Sequence, residues 1–296
     1  MDSPLLASVL LPVAIATIMG SLGLALTPAD FRRVLVAPRG VAIGMLNLAL
    51  ISPLLAFAMA ELFDLPPELA VGLVLLGASP GGMSANMLTH LARGDTALSV
   101  TMTAISSVAS VVTVPLFLGL ATEHFGAGEL GDVSMPGVVA LVFAVTIVPV
   151  AIGMTLRRRW PERVLAAYPR VRALSLGLFG VVVLGAIASE YDTVAENVEA
   201  VAGAAFALNV AAMTISFLMS KVARLDTRQS TAIALELGVH NSTLAIAVGA
   251  SLASELTIPA AVYSSFMLFT GGAFAWAMSR RNETVAVAPE PDPLPS

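Results

Sequence analysis

GASPGGMSANMLTHLARGDTALSVTMTAISS, residues 77–107, has a counterpart in AIALELGVHNSTLAIAVG, residues 232–249. Each is an apolar run interrupted midway by residues that a lipid-facing helix does not favour. The interruptions are Ser79-Pro80-Gly81-Gly82 in the first and Glu236-Leu237-Gly238-Val239-His240-Asn241 in the second. Both helices are expected to break inside a membrane, at Pro80, Gly81 and Gly82 and again at Gly238. Unwound backbone at bilayer depth is tolerated only where protein or a water-filled cavity satisfies it. Paired Gly/Pro-interrupted segments in the two halves of a chain are the sequence mark of a secondary transporter's binding site.

Composition leads to the same class. With 57% hydrophobic and 12% charged residues over 296 positions and a mean hydropathy of +0.89, there is too little polar surface to cover a soluble globule. The chain is therefore an integral protein of the lipid bilayer. The lack of cysteine removes disulfide and thiolate chemistry. Nine apolar spans can be drawn, each near the roughly twenty residues a bilayer requires: 5–26, 41–62, 69–90, 96–121, 137–156, 173–189, 201–220, 229–253 and 257–278. The first begins with Asp2 rather than a basic region, so it is expected to remain as a helix and not to be cleaved as a signal.

The cations fix an orientation for this all-α membrane protein. All 15 Lys and Arg fall on alternate loops, six of them between Arg157 and Arg172, while the opposite loops carry only acids. The positive-inside rule puts the N-terminus outside and the C-terminus in the cytoplasm of a cell membrane crossed several times. Residues 282–296, Pro-rich, read as a disordered cytoplasmic tail. Its Asn282-Glu283-Thr284 fits a glycosylation acceptor but lies on the wrong side of the membrane. Residues 1–281 read as a single membrane domain, divided near its middle by the basic loop. The two broken spans run in opposite senses, as an inverted repeat requires.

Glu236 is the one acid deep in any span. Burying a carboxylate is expensive unless a cation or partner compensates it; the alternative is an inert paired or protonated carboxyl. Ser99 and Thr103 stand four apart and share one helix face. Intramembrane hydroxyls commonly bond the carbonyl one turn back, so spacing alone leaves their role open. No Lys or Arg lies within a span, and an anionic solute would therefore be held by half-helix N-termini near Ser84 and Asn241, with Asn241 and Ser242 as side-chain donors. A carboxylate or similar organic anion is the expected substrate, either a small carboxylate or a larger, bile-acid-like solute. No metal cluster, nucleophile constellation or phosphate loop accompanies the spans, so an enzyme is not expected. No nucleic-acid partner is expected either, and nothing in the sequence demands more than a monomer.

Residues 65–107, LPPELAVGLVLLGASPGGMSANMLTHLARGDTALSVTMTAISS, closely resemble the bile acid:sodium symporter family, in which a Pro-Gly-Gly segment, an Asn, Leu-Ala-Arg-Gly-Asp/Asn and Ala-Leu-Ser-Val recur in that order. Glu236-Leu237-Gly238-Val239-His240-Asn241-Ser242 looks like the family's Glu-x-Gly-x-Gln-Asn-Ser/Ala, and LTPADFRRV at 26–34 matches the end of an early helix. The resemblance covers 5–281, and nine spans fit members lacking the first helix. It implies a core (about 41–121 and 201–279) with two crossing discontinuous helices, a panel (about 5–26 and 137–189), and sodium-coupled uptake of an organic anion between them.

Sodium is a hard cation that prefers oxygen ligands. The resemblance implies a first sodium site of Asn86, Ser99, Thr103 and Glu236, with Ala85 standing where a Ser normally precedes the Asn. A second site would use Glu236, the carbonyls of Leu237 and Val239, and a Gln side chain that is His240 here. The helper amide of that site aligns with Leu48, next to Asn47. Imidazole presents nitrogen, so the coupling ion is one sodium, or a proton through Glu236 and His240, which titrates near physiological pH; otherwise His240 is a neutral hydrogen-bonding spacer. A sodium/proton antiporter shares such an architecture but usually needs a pair of buried acids. A membrane sensor would need a signalling domain, which this sequence does not contain.

Overall fold

A computed structural model describes residues 11–32, 35, 38–127 and 134–286, with side chains from 13 to 282. The beginning of the first expected span, at 5–10, and the end of the expected tail, at 287–296, lie outside the described residues. Within them, all regular secondary structure is helical, and one isolated antiparallel bridge joins Gly81 to His240.

The chain begins with α1 (Leu11–Ala25), a single turn α2 (Pro28–Arg32) and α3 (Pro38–Leu46), which passes through a π-turn (Asn47–Ile51) into α4 (Ser52–Leu62). Then come α5 (Pro67–Ala78), α6 (Met83–Leu91), α7 (Thr96–Phe125), and α8 (Met135–Val142), which continues through a second π-turn (Phe143–Ile147) into α9 (Val148–Arg159). The last part holds α10 (Pro161–Ser189), α11 (Tyr191–Val222), α12 (Thr227–Gly238), α13 (Ser242–Ala250), a 3₁₀ turn (Ser254–Thr257) and α14 (Ile258–Ala286). Among the described residues, six helical stretches are long and apolar enough to cross a membrane: Pro38–Leu62, Thr96–Phe125, Met135–Arg159, Pro161–Ser189, Tyr191–Val222 and Ser254–Asn282.

Both π-turns have the same cause. Pro53 and Pro149 lie two residues beyond them and have no N–H to donate, so the ladder slips by one: Ser52 N–H reaches Asn47 O and Val148 N–H reaches Phe143 O. Proline thus widens the helices without breaking them.

At the corners the sequence stops one helix and starts the next. Arg93 (φ 53°) ends α6 in the left-handed region, and Asp95 caps α7 by accepting from Leu98 N–H at 3.0 Å. Arg224 (φ 59°) and Asp226 do the same between α11 and α12, where Asp226 accepts from Gln229 N–H at 2.8 Å. His124 sits in the last turn of α7 and pairs with exposed Glu61 at 2.6 Å. The α1 and α9 backbones run against each other, so close that a Cβ on Gly23 would overlap Val150 O, the small-residue packing common between helices in lipid.

One boundary needs correction. Residues 282–286, expected in the disordered tail, continue α14, and Asn282 is buried with Nδ2 donating to Ala92 O at 2.8 Å. Its polarity reads as tail because the residue it serves lies 190 positions away.

Candidate ion and substrate site

Pro80 forbids the helical conformation at Ser79, which is extended (ψ 148°), and α5 stops there. The chain resumes as α6 three residues on, after an extended Gly82. The second break, Val239 to Asn241, lies against the first. Gly82 N–H donates to Val239 O and Asn241 N–H to Pro80 O, both at 2.8 Å. Each break therefore satisfies backbone groups that the other frees, as buried polar backbone requires.

Around this crossing the structure brings together Asn86, Ser99, Thr103 and Glu236. Ser99 Oγ lies 2.8 Å from Glu236 Oε2 and 2.8 Å from Asn86 Oδ1. Thr103 Oγ1 lies 2.5 Å from Glu236 Oε1, 3.2 Å from Asn86 Oδ1 and 3.1 Å from Ser99 O. Glu236, Ser99 and Thr103 are wholly buried. Each hydroxyl has one proton to give but faces at least two acceptors. The cluster is rich in oxygen and short of donors, a set that a hard cation completes. Gly81 is required here, because a Cβ would overlap the Glu236 carboxylate.

His240 stands apart from this cluster. Its Nδ1 is 3.2 Å from Ser79 O and its Nε2 3.0 Å from Ser52 Oγ. A carbonyl can only accept, so Nδ1 carries a proton, while Nε2 faces the Ser52 hydroxyl, which can give or accept one. Both ring nitrogens are thus engaged. Of the carbonyls expected to serve a second ion, Val239 O already accepts from Gly82, while Leu237 is buried. Leu48 and Asn47 are buried too; Asn47 Nδ2 donates to Ile43 O at 2.7 Å.

Two further residues hold the second break, and sequence reading missed both. Asn209 Nδ2 and Tyr263 Oη donate to Gly238 O at 2.7 and 2.9 Å. Asn209 is the one amide in the span 201–220 and Tyr263 the one phenol in 257–278, which is the signal that marks them. Replacing both, Asn209→Ala with Tyr263→Phe, strips this buried carbonyl of its side-chain donors. The expected cost is about 1–3 kcal/mol of stability, read as a lower thermal midpoint in detergent.

Beside the crossing is a cavity of about 40 Å³, lined by Ser84, Asn241, Ser242 and Thr243 from the breaks and by Met19, Ser175 and Phe179 from α1 and α10. Asn241 Oδ1 caps α13 by accepting from Leu244 N–H at 3.2 Å, and its Nδ2 faces the Met19 thioether at 3.5 Å. Thioether sulfur is a weak acceptor, so this amide has donor capacity left for a solute. Gly82, at the start of α6, provides no side-chain cap, and Ala85 N–H turns back to Gly82 O at 3.0 Å. The space holds a few waters at most.

A family model described as the sodium bile acid symporter family matches residues 12–197, nearly two thirds of the chain, including the first break and α7. The chain belongs to the sodium bile acid symporter family. This symporter-family chain is similar over 275 residues, at 32% identity and 90% of its length, to the rice protein named "Probable sodium/metabolite cotransporter BASS2, chloroplastic", of which it spans 63%. It is 28% identical over 270 residues to "Uncharacterized sodium-dependent transporter YocS" of Bacillus subtilis (91% of this chain, 83% of that one). It is also 28% identical over 241 residues to the human "Ileal sodium/bile acid cotransporter" (80% and 68%). These relatives are named for sodium-dependent transport, and none of the three for an enzyme activity. The alignments to the rice and Bacillus proteins cover most of the chain, whereas the family match ends before Glu236.

Proposed function

We propose that this protein is a secondary active transporter that carries a small organic anion with one sodium ion by alternating access. The observation that carries the reading is the buried cluster of Glu236, Ser99, Thr103 and Asn86, whose oxygens outnumber the protons available to them. Sodium bound there ties α6, α7 and α12 together and neutralises the carboxylate. That sets the crossing and presents the N-termini of α6 and α13, with Ser84, Asn241 and Ser242, to an anionic group. The present cavity is too small for a solute of several carbons, so α1 and α10 must move relative to the breaks during transport. This fits a panel (about 5–26 and 137–189) rocking against a core (about 41–121 and 201–279) in a nine-span inverted repeat, N-terminus outside, in a cell membrane.

One ion rather than two is favoured because two of the expected second-site ligands already have partners. Gly82 N–H donates to Val239 O, and His240 is bonded at both nitrogens. A proton-coupled variant of the same fold would use Glu236 and His240, and ion selectivity separates the two. Sodium, and not potassium at equal ionic strength, is expected to raise the thermal midpoint of the purified protein, by about 2.7 kcal/mol of stabilisation at a hundredfold excess over Kd. The binding isotherm should follow a single site. No sodium effect, with stability that follows pH and is altered by His240→Gln, would replace this reading with proton coupling.

A further inference from the structure

Away from the crossing, the end of α9 and the start of α10 meet in a turn of one residue, Trp160, and α1 closes the third side of a groove of about 310 Å³. It is lined by Leu24, Leu156, Trp160, Arg163, Val164 and Ala167, so Arg163 is the one charged side chain in a lining otherwise apolar but for the indole N–H. Trp160 is 45% exposed, in the position of an aromatic residue that anchors at the membrane–water boundary. Six arginines fall between residues 157 and 172, against the single acid Glu162. Among the described residues, Arg158, Arg159, Arg163 and Arg170 make no ion pair; Arg159 instead lies over the Trp160 ring at 5.8 Å. An apolar slot with the Arg163 guanidinium in its lining, and that of Arg159 over the ring of the neighbouring Trp160, matches one class of molecule, with a hydrocarbon chain and an anionic phosphate joined end to end.

We propose that this groove is a binding site for one anionic phospholipid, an acyl chain lying along Leu24, Leu156, Val164 and Ala167 and the phosphate held by Arg163 with Arg159. Guanidinium suits phosphate because its fork donates two parallel hydrogen bonds. Basic pockets between helices at the membrane surface bind lipid headgroups on the same principle. Since α1 and α10 also line the cavity at the crossing, lipid in this groove would grip the elements whose movement transport requires.

The test is native mass spectrometry of the full chain in neutral detergent, with phosphatidylglycerol or phosphatidylcholine of identical acyl chains. One phosphatidylglycerol per protein should be retained and phosphatidylcholine lost. Arg159→Gln with Arg163→Gln should weaken retention about twenty-fivefold, at roughly fivefold per arginine. Ala167→Trp, which fills the groove and leaves the charge alone, should also displace the lipid. Arg170→Gln, in the same basic run but outside the groove, should retain it. A thermal midpoint equal to wild type in detergent alone verifies that each variant is folded. Equal retention of both lipids, no effect of the paired arginine changes, or an effect of Arg170→Gln as large as theirs would overturn the site. Complete displacement by glycerol phosphate would overturn it too, since the arginines would then be a phosphate site with no use for the groove.

Discussion

Glu236→Gln yields a folded protein that no longer responds to sodium. The amide keeps the size of the carboxyl, so packing around α12 survives, and it brings two N–H donors into a cluster short of protons. In potassium the variant should be as stable as wild type or more so, because Asn86 Oδ1 and Ser99 O, now competing for two hydroxyl protons, gain a donor. In sodium the wild type gains about 2.7 kcal/mol at a hundredfold excess over Kd, and the variant gains nothing. Uptake into proteoliposomes driven by a sodium gradient should fall to background. The two readouts together distinguish a lost ion site from a lost fold. A variant that is stabilised by sodium like wild type would remove Glu236 from the site.

Gly81→Ala has the second largest expected effect, for a steric reason. Its Cβ would overlap the Glu236 carboxylate, so either the carboxylate swings away from Ser99 and Thr103 or the paired breaks separate. Overpacking of this kind costs about 1–3 kcal/mol, and both responses dismantle the oxygen cluster. Neighbouring glycines provide a graded comparison. A Cβ on Gly82 meets His240 O and Val239 O at 3.0 Å, a tight contact that a small backbone shift relieves, whereas one on Gly272 meets nothing within 4 Å. Loss of stability and of sodium response should run Gly81, then Gly82, then Gly272, the last indistinguishable from wild type. Measured by thermal denaturation in sodium and in potassium, a reversed order would mean that the carboxylate does not sit where its bonds to Ser99 and Thr103 put it.

The two breaks, Glu236 and the shared face of Ser99 and Thr103 are legible in the sequence because each leaves a local mark, whereas Asn86 comes only from the family resemblance. Pro80 and the glycines interrupt an apolar run, a lone Glu in a span demands compensation, and the interval from Ser99 to Thr103 assigns both to one helix face. What holds the breaks in place leaves no such mark. Ser52 meets His240 188 residues away, Tyr263 reaches Gly238 from a different helix, and Asn209 does so from a third. A polar side chain in an apolar helix announces that it has a partner without saying which. The same limit put the tail boundary at 282, since Asn282 is tied to Ala92 and Thr231 rather than to anything near it in sequence. The π-turns lay between these cases: Pro53 and Pro149 are visible, but only the structure reveals that their helices slip by one residue and continue.

The mutual bonding of the breaks also has a meaning in time. Gly82 N–H is satisfied by Val239 O, which is synthesised 157 residues later. At about 5–20 residues per second, the first break exists for roughly 8–30 s before its partner emerges. Through that interval its backbone must be hydrated or held by the insertion machinery, because hydrocarbon gives it nothing to bond. Assembly of this protein therefore cannot proceed one hairpin at a time; the first half waits, incompletely satisfied, for the second to be made.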